Sequence, residues 1–265
     1  MMKKVDGHIH TPFCPHGSSD SFHQYIERAI SLQYSHLTFT EHAPLPEGFI
    51  DTTPDQDSGM DPVDVPAYFD TLDELKETYK DRITIRSGLE VDYIEGFEQE
   101  SAAFLSRWGT RIDDSILSVH FLHHQNQWDC LDFSPEVFKS MIDRYGSVDA
   151  VYTHYYRTVV KSIESDLGAF KPGRIGHITL VKKFQHLYPA SRPFTEEIEA
   201  ILKAVAAKGL ELDYNGAGLT KPHCGESYPP VEVIEKARSL GIVTVYGSDA
   251  HTANGINQGR DEMKV

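Results

Sequence analysis

Cysteine is scarce in this chain. Cys14, Cys130 and Cys224 are odd in number and widely spaced, which argues against a disulfide framework and a Cys-based zinc site and leaves reduced thiols as the expectation. Long apolar runs are absent: no stretch approaches the roughly 18 residues of a membrane span. The Met1-Met2-Lys3-Lys4 start leads straight into a strand pattern instead of the apolar segment of a signal peptide. A soluble, cytoplasmic chain with no membrane partner is expected. Positive charge is in deficit, with 25 Lys and Arg against 40 Asp and Glu and a formal net charge of -15. Such a surface repels a phosphate backbone and no basic patch offsets it, so no nucleic acid is expected and a small substrate fits better.

What the chain does hold is histidine, 14 residues of it, on a steady alternation of strand and helix patterns. At 265 residues, 40% hydrophobic and 25% charged, a single domain over 1–265 with one large core is expected. Lys3 to His10 reads as a strand, and side-chain alternation puts His8 and His10 on one face, where two imidazoles can grip one cation. His16 follows on a Pro- and Gly-bounded loop that could fold back over the strand end. Phe22, Tyr25, Ile26 and Ala29 recur at helical spacing behind Asp20 or Ser21 as the cap. His36 to Thr40 is strand-like and ends in Glu41-His42; the polar stretch that follows, to about Pro66, has the length of a functional loop.

A helix with Tyr68, Leu72 and Leu75 leads to a strand from Ile83 to Val91 with Glu90 at its end, and a helix to Trp108 leads to a strand from Ser115 to His120. A loop rich in His, Gln and Asp, Phe121 to Phe133, precedes a helix started by Ser134-Pro135. A further helix, about Val148 to Ser165, interrupts the alternation and carries His154 and Arg157. Arg174 to Leu180 is then a strand with His177 in its latter half. Leu210 to Tyr214 is the next, ending at Asn215, and Ile242 to Tyr246 the last, ending at Gly247-Ser248-Asp249-Ala250-His251; helices Phe194 to Ala207 and Val231 to Leu240 separate them.

This α/β alternation predicts a parallel sheet covered by helices, closed or nearly closed into a barrel. Active sites of such barrels lie at the carboxyl ends of the strands. His8, His10, His42, Glu90, His120, His177, Asp249 and His251 fall at or beside the ends of six of the seven inferred strands, a coincidence that scattered core histidines would not produce. With His16 they exceed the roughly four to six ligands of one ion, so two or three ions are implied, with Glu90 able to bridge. Nitrogen and oxygen donors suit zinc, iron or manganese.

Asp6-Gly7-His8-Ile9-His10-Thr11-Pro12-Phe13-Cys14-Pro15-His16-Gly17, Glu41-His42, Gly88-Leu89-Glu90, Ser118-Val119-His120, Gly176-His177 and Gly247-Ser248-Asp249-Ala250-His251 resemble the successive motifs of the polymerase and histidinol phosphatase (PHP) family. The overall pattern, above all Phe13 to Gly17, is similar to that of the family's stand-alone histidinol-phosphatase branch. The resemblance implies a distorted seven-stranded TIM-like barrel and three divalent metal ions held by His8, His10, His16, His42, Glu90, His120, His177, Asp249 and His251. The short segment after the last motif departs from relatives that carry a closing helix there.

The implied reaction is hydrolysis of a phosphomonoester, L-histidinol phosphate, by metal-activated water attacking in line. Asp249 or His251 would help protonate the leaving alkoxide. Arg157 and Arg192 are the expected phosphate ligands, since a guanidinium pairs with two phosphate oxygens. Asp132 or Glu226 would meet the substrate's cationic groups. Asn215 would touch substrate or cap a turn, and His154 would be packed or solvent-facing rather than a ligand. Two other readings compete: a phosphoesterase of the same family acting on nucleotides or phosphotyrosine, and a metal-binding protein without catalysis. An amidohydrolase also begins with His-x-His on a strand, but no Lys stands at an inferred strand end to bridge its metals.

Overall fold

The structure, a computed structural model, describes residues 4–265. Lys3, the expected first strand residue, lies outside them. Seven parallel strands form the sheet: β1 (Val5–Ile9), β2 (His36–His42), β3 (Thr84–Asp92), β4 (Asp114–Ser118), β7 (Arg174–Ile175), β8 (Glu211–Asn215) and β9 (Thr244–Gly247), in that spatial order. β5 (Phe121–His124) and β6 (Gln127–Cys130) form a separate hairpin. The sheet nearly closes on itself. Between its first and last strands the His10 N–H donates to the Ala250 carbonyl at 3.0 Å and the Asp249 N–H to the His8 carbonyl at 2.7 Å. This is the expected α/β architecture, a distorted (β/α)7 barrel.

The helices are α1 (Phe22–Ser31), α2 (Val65–Tyr79), α3 (Glu98–Trp108), α4 (Pro135–Tyr145), α5 (Val148–Glu164), α6 (Thr195–Lys208), the short α7 (Ala217–Thr220) and α8 (Val231–Ser239). They cover the outside of the sheet through stripes such as Phe22, Tyr25, Ile26 and Ala29 on α1. Ser21 accepts from the Gln24 N–H while the Gln24 side chain bonds the Ser21 backbone, a reciprocal cap that fixes where α1 begins. Tyr68 of α2 reaches further. Its buried hydroxyl lies 2.8 Å from the Gly88 carbonyl oxygen and 3.0 Å from that of Phe39, joining helix to sheet just below the ends of β2 and β3.

Two expectations are corrected. Pro172, lacking an N–H, and Gly173 precede β7, which pairs through only two residues; Leu180 N–H then folds back onto the His177 carbonyl at 2.8 Å, so His177 stands just beyond a short strand rather than within a long one. The segment after His120 is not wholly loop. Gln125 and Asn126, at φ 50° and 63°, make a tight hairpin turn between β5 and β6. The C-terminal segment packs without a closing helix: Ile256 and Met263 are buried, and Arg260 donates to the Val5 carbonyl at 3.0 Å.

The other end of the barrel is plugged by Arg174. It is fully buried, donating to Asp114 Oδ2 at 2.6 Å and to the Gly7 carbonyl at 3.0 Å.

Gly88 of β3 sits wedged between β2 and β4. A Cβ there would meet the Asp114 carbonyl oxygen at 2.5 Å and that of Phe39 at 2.9 Å, both backbone atoms that cannot step aside. Gly88→Ala should therefore destabilise the fold by about 1–3 kcal/mol, read as a lower midpoint in chemical denaturation; an unchanged midpoint would show that the sheet yields freely here.

Candidate metal centre

Glu90, buried at the end of β3, is the hub of a cluster at the carboxyl ends of the strands. Its Oε1 lies 2.8 Å from His177 Nε2 and 3.8 Å from His120 Nε2. Its Oε2 faces a different set: His42 Nδ1 at 3.2 Å, His8 Nε2 at 3.3 Å and His10 Nε2 at 3.5 Å. One carboxylate thus addresses two groups of imidazoles, the geometry of a bridge. Asp249 Oδ1 lies 3.1 Å from His10 Nε2, 3.8 Å from His8 Nε2 and 3.7 Å from His251 Nδ1. Asp249 itself takes φ 55°, rare for a residue with a side chain. Asn215 Nδ2 helps hold it, donating to Asp249 Oδ2 at 3.1 Å.

His16 completes the set from its loop, its ring centroid 5.0 Å from that of His42 and 5.2 Å from that of His251. Its Nδ1 lies 2.8 Å from the Asp57 carbonyl oxygen, which leaves Nε2 free. All nine residues singled out in the sequence therefore converge. His154 stays apart on α5, packed against Tyr145 and His124.

Behind the imidazoles stands a ring of carboxylates that sequence reasoning missed. Asp213 Oδ2 holds His8 Nδ1 at 2.9 Å, Glu41 Oε1 holds His10 Nδ1 at 3.2 Å, and Asp92 Oδ1 holds His120 Nδ1 at 2.7 Å. Each fixes a tautomer and turns Nε2 toward the cluster. Part of the signal was available, since Asp92 follows Glu90 by two on the same strand and Glu41 adjoins His42. Cys14 was missed too; its sulfur belongs to a compact donor group with His10, His42 and His251.

The donors fit cations. His8 Nε2 and His42 Nδ1 are buried, face the cluster and have no hydrogen-bond partner, a costly state for a polar atom unless a cation takes its lone pair. Compact groups of His8, His10 and Asp249, and of Glu90, His120 and His177, supply further donor sets. Electrostatics agree. Burial works to raise Glu90 and Asp249, but the neighbouring imidazoles outweigh it and hold both carboxyls well below their ordinary range. Burial works to lower His10, but Asp249 and Glu41 outweigh it and lift the imidazole to about 9; burial is likewise outweighed at His120, chiefly by Asp92, which lifts it to about 10. Burial and the charge of His10 push His42 and His251 well down.

A cavity of about 500 Å³ opens over the cluster, lined also by Thr53, Asp57 and Ser58 of the long loop and by Asp132, Lys183, Lys221, Tyr228 and Gln258. The two arginines expected there do not reach it. Arg157 is exposed on the outer face of α5. Arg192 is exposed as well, bonded to Glu197 at 2.5 Å and stacked over Phe194 at 3.9 Å. Glu226 pairs with Lys182 and does not line the cavity, whereas Asp132 does.

Fold and cluster together define a barrel enzyme built to hold cations at its strand ends. Residues 6–217 match the PHP domain family, and the chain belongs to it. It is 46% identical over 259 residues to the histidinol-phosphatase of Bacillus subtilis, with 96% of each chain covered. A solved structure from Listeria monocytogenes, described as a candidate histidinol phosphatase, superposes with a TM-score of 0.94 at 39% identity over 98% of this chain and 99% of its own. The Lactococcus lactis histidinol phosphate phosphatase, solved with zinc, L-histidinol and phosphate, shares the fold at a TM-score of 0.71 and 21% identity, over 99% of this chain and 93% of its own.

Two outcomes follow. Asp213→Asn should weaken cation binding by about 10–100-fold with the fold intact, measured by titration against a chelator; unchanged affinity would remove Asp213 from its supporting role. Cations must also displace protons from His10 and His120. Between the ordinary imidazole value of 6.5 and about 9, loading should therefore release protons and tighten as pH rises. Calorimetry in buffers of different ionisation enthalpy reads this directly, and equal heats would refute it.

Proposed function

We propose that this chain hydrolyses L-histidinol phosphate to L-histidinol and phosphate, as a metal-dependent histidinol-phosphatase of histidine biosynthesis. The reaction class is carried by one observation: both oxygens of the buried Glu90 lie within 3.8 Å of imidazole nitrogens drawn from five different residues. Such a bridged cluster is suited to phosphomonoester hydrolysis. The substrate follows from full-length relatedness to the Bacillus subtilis enzyme. A cytoplasmic setting and a single catalytic domain over 1–265 accord with that role.

His8, His10, His16, His42, Glu90, His120, His177, Asp249 and His251 would hold three divalent ions, with zinc, iron and manganese all compatible with the donor set. Bound there, the ions would neutralise phosphate oxygens and activate water for in-line attack. The chain's own contribution is placement. Asp213, Glu41 and Asp92 lock three imidazoles so that their Nε2 lone pairs point into the cluster, those of His8 and His10 on one side of Glu90 and that of His120 on the other. The leaving alkoxide needs a proton, and the attacking water has one to lose; we assign its relay to the Asp249–His251 corner, since both line the open cavity and the His251 side chain is 31% exposed.

The metal-loaded protein should release phosphate from L-histidinol phosphate. Glu90→Ala and His177→Ala should cut that release by on the order of 10²–10³-fold and lower the metal content. No release with zinc, manganese or iron loaded would overturn the assignment.

A further inference from the structure

We propose that the Asp132–Lys183 ion pair reads the two opposite charges of the substrate, Lys183 holding a phosphate oxygen and Asp132 the ammonium group of the amino alcohol. The inference rests on the reaction proposed above and assigns its substrate contacts to named groups. Asp132 follows the hairpin strand β6, and Lys183 lies six residues beyond His177 in the turn Leu180–Phe184. Their side chains meet at 2.9 Å and are only 19% and 21% exposed. Both line the cavity over the cluster. Cys130 Sγ faces the other Asp132 oxygen at 3.5 Å, and Asp132 also feels the charges of His120 and His177.

A pair so placed is a poor device for stability. Two charges taken from water lose about as much as their attraction returns, and a hydrophobic pair would serve the fold as well. It is well placed to be exchanged. Among the described residues lining the cavity the Lys and Arg side chains are Lys183 and Lys221, and Lys221 is exposed. A phosphate ester with a neighbouring ammonium group carries the complementary pair of charges. Its entry replaces one internal ion pair with two intermolecular ones, and no charge is left unmatched. An ester lacking the amine would leave Asp132 without its cation, which supplies specificity as well as affinity.

The test uses the metal-loaded enzyme with p-nitrophenyl phosphate as reporter, and L-histidinol and inorganic phosphate as separate competitive inhibitors. This keeps the outcome independent of whether L-histidinol phosphate is turned over. Lys183→Met should weaken inhibition by phosphate about tenfold or more, without weakening inhibition by L-histidinol, because Asp132 is freed. Asp132→Asn should do the reverse. Metal content and denaturation midpoints are measured beside them. Inhibition unchanged in both variants, or weakened for both inhibitors in parallel, would overturn the proposal and leave the pair a structural tie. If L-histidinol fails to inhibit the unsubstituted enzyme while phosphate still reports on Lys183, the amine contact falls.

Discussion

Everything in this molecule is arranged around a carboxylate buried among imidazoles. Glu90 has almost no access to water, yet both its oxygens face nitrogen atoms. A charge in that position is tolerable only when the surroundings answer it. The answer is layered. Imidazoles from β1, β2 and the segments after β4 and β7 surround the carboxylate, and Asp213, Glu41 and Asp92 in turn polarise three of them. Alternating sign from layer to layer lets a barrel end carry so many ionisable groups without losing its packing.

The sheet supplies the placement. Parallel strands end on one side of a barrel, so residues distant in sequence meet there without special pleading. Tyr68 and the Gly88 crossing hold the ends of β2 and β3 in register. The hairpin β5–β6 and the turn after His177 add the wall on which Asp132 and Lys183 stand.

The strand–helix alternation and the strand-end donors were legible because both rest on local pattern. His8 and His10 are two apart, as are Asp249 and His251, and the second pair follows the β-branched and aromatic run Ile242-Val243-Thr244-Val245-Tyr246. Other features were not legible, for identifiable reasons. Asp213 looks like one more acidic residue until the closing of the sheet brings it 2.9 Å from His8, with only β9 between their strands. The turn at Gln125-Asn126 lacks the Gly that usually marks a tight hairpin. Arg157 and Arg192 were chosen for their chemistry, which a sequence shows, while the face they occupy depends on how α5 and α6 pack. Lys183 drew no notice because a lone Lys in a mixed segment has no periodic signature.

The seam between β1 and β9 is held by two backbone hydrogen bonds, made by His8, His10, Asp249 and Ala250, so the residues that close the sheet are largely the donors of the cluster. A cation held by donors from both sides of that seam would tie His8 and His10 to Asp249 and His251. In topological terms it would turn an open ribbon into a ring, closing a loop of about 240 residues, and long loops are those whose closure restricts the unfolded chain most. The reaction centre of this enzyme would then also be its clasp, and loss of the ions would loosen the first and last strands before the middle of the sheet.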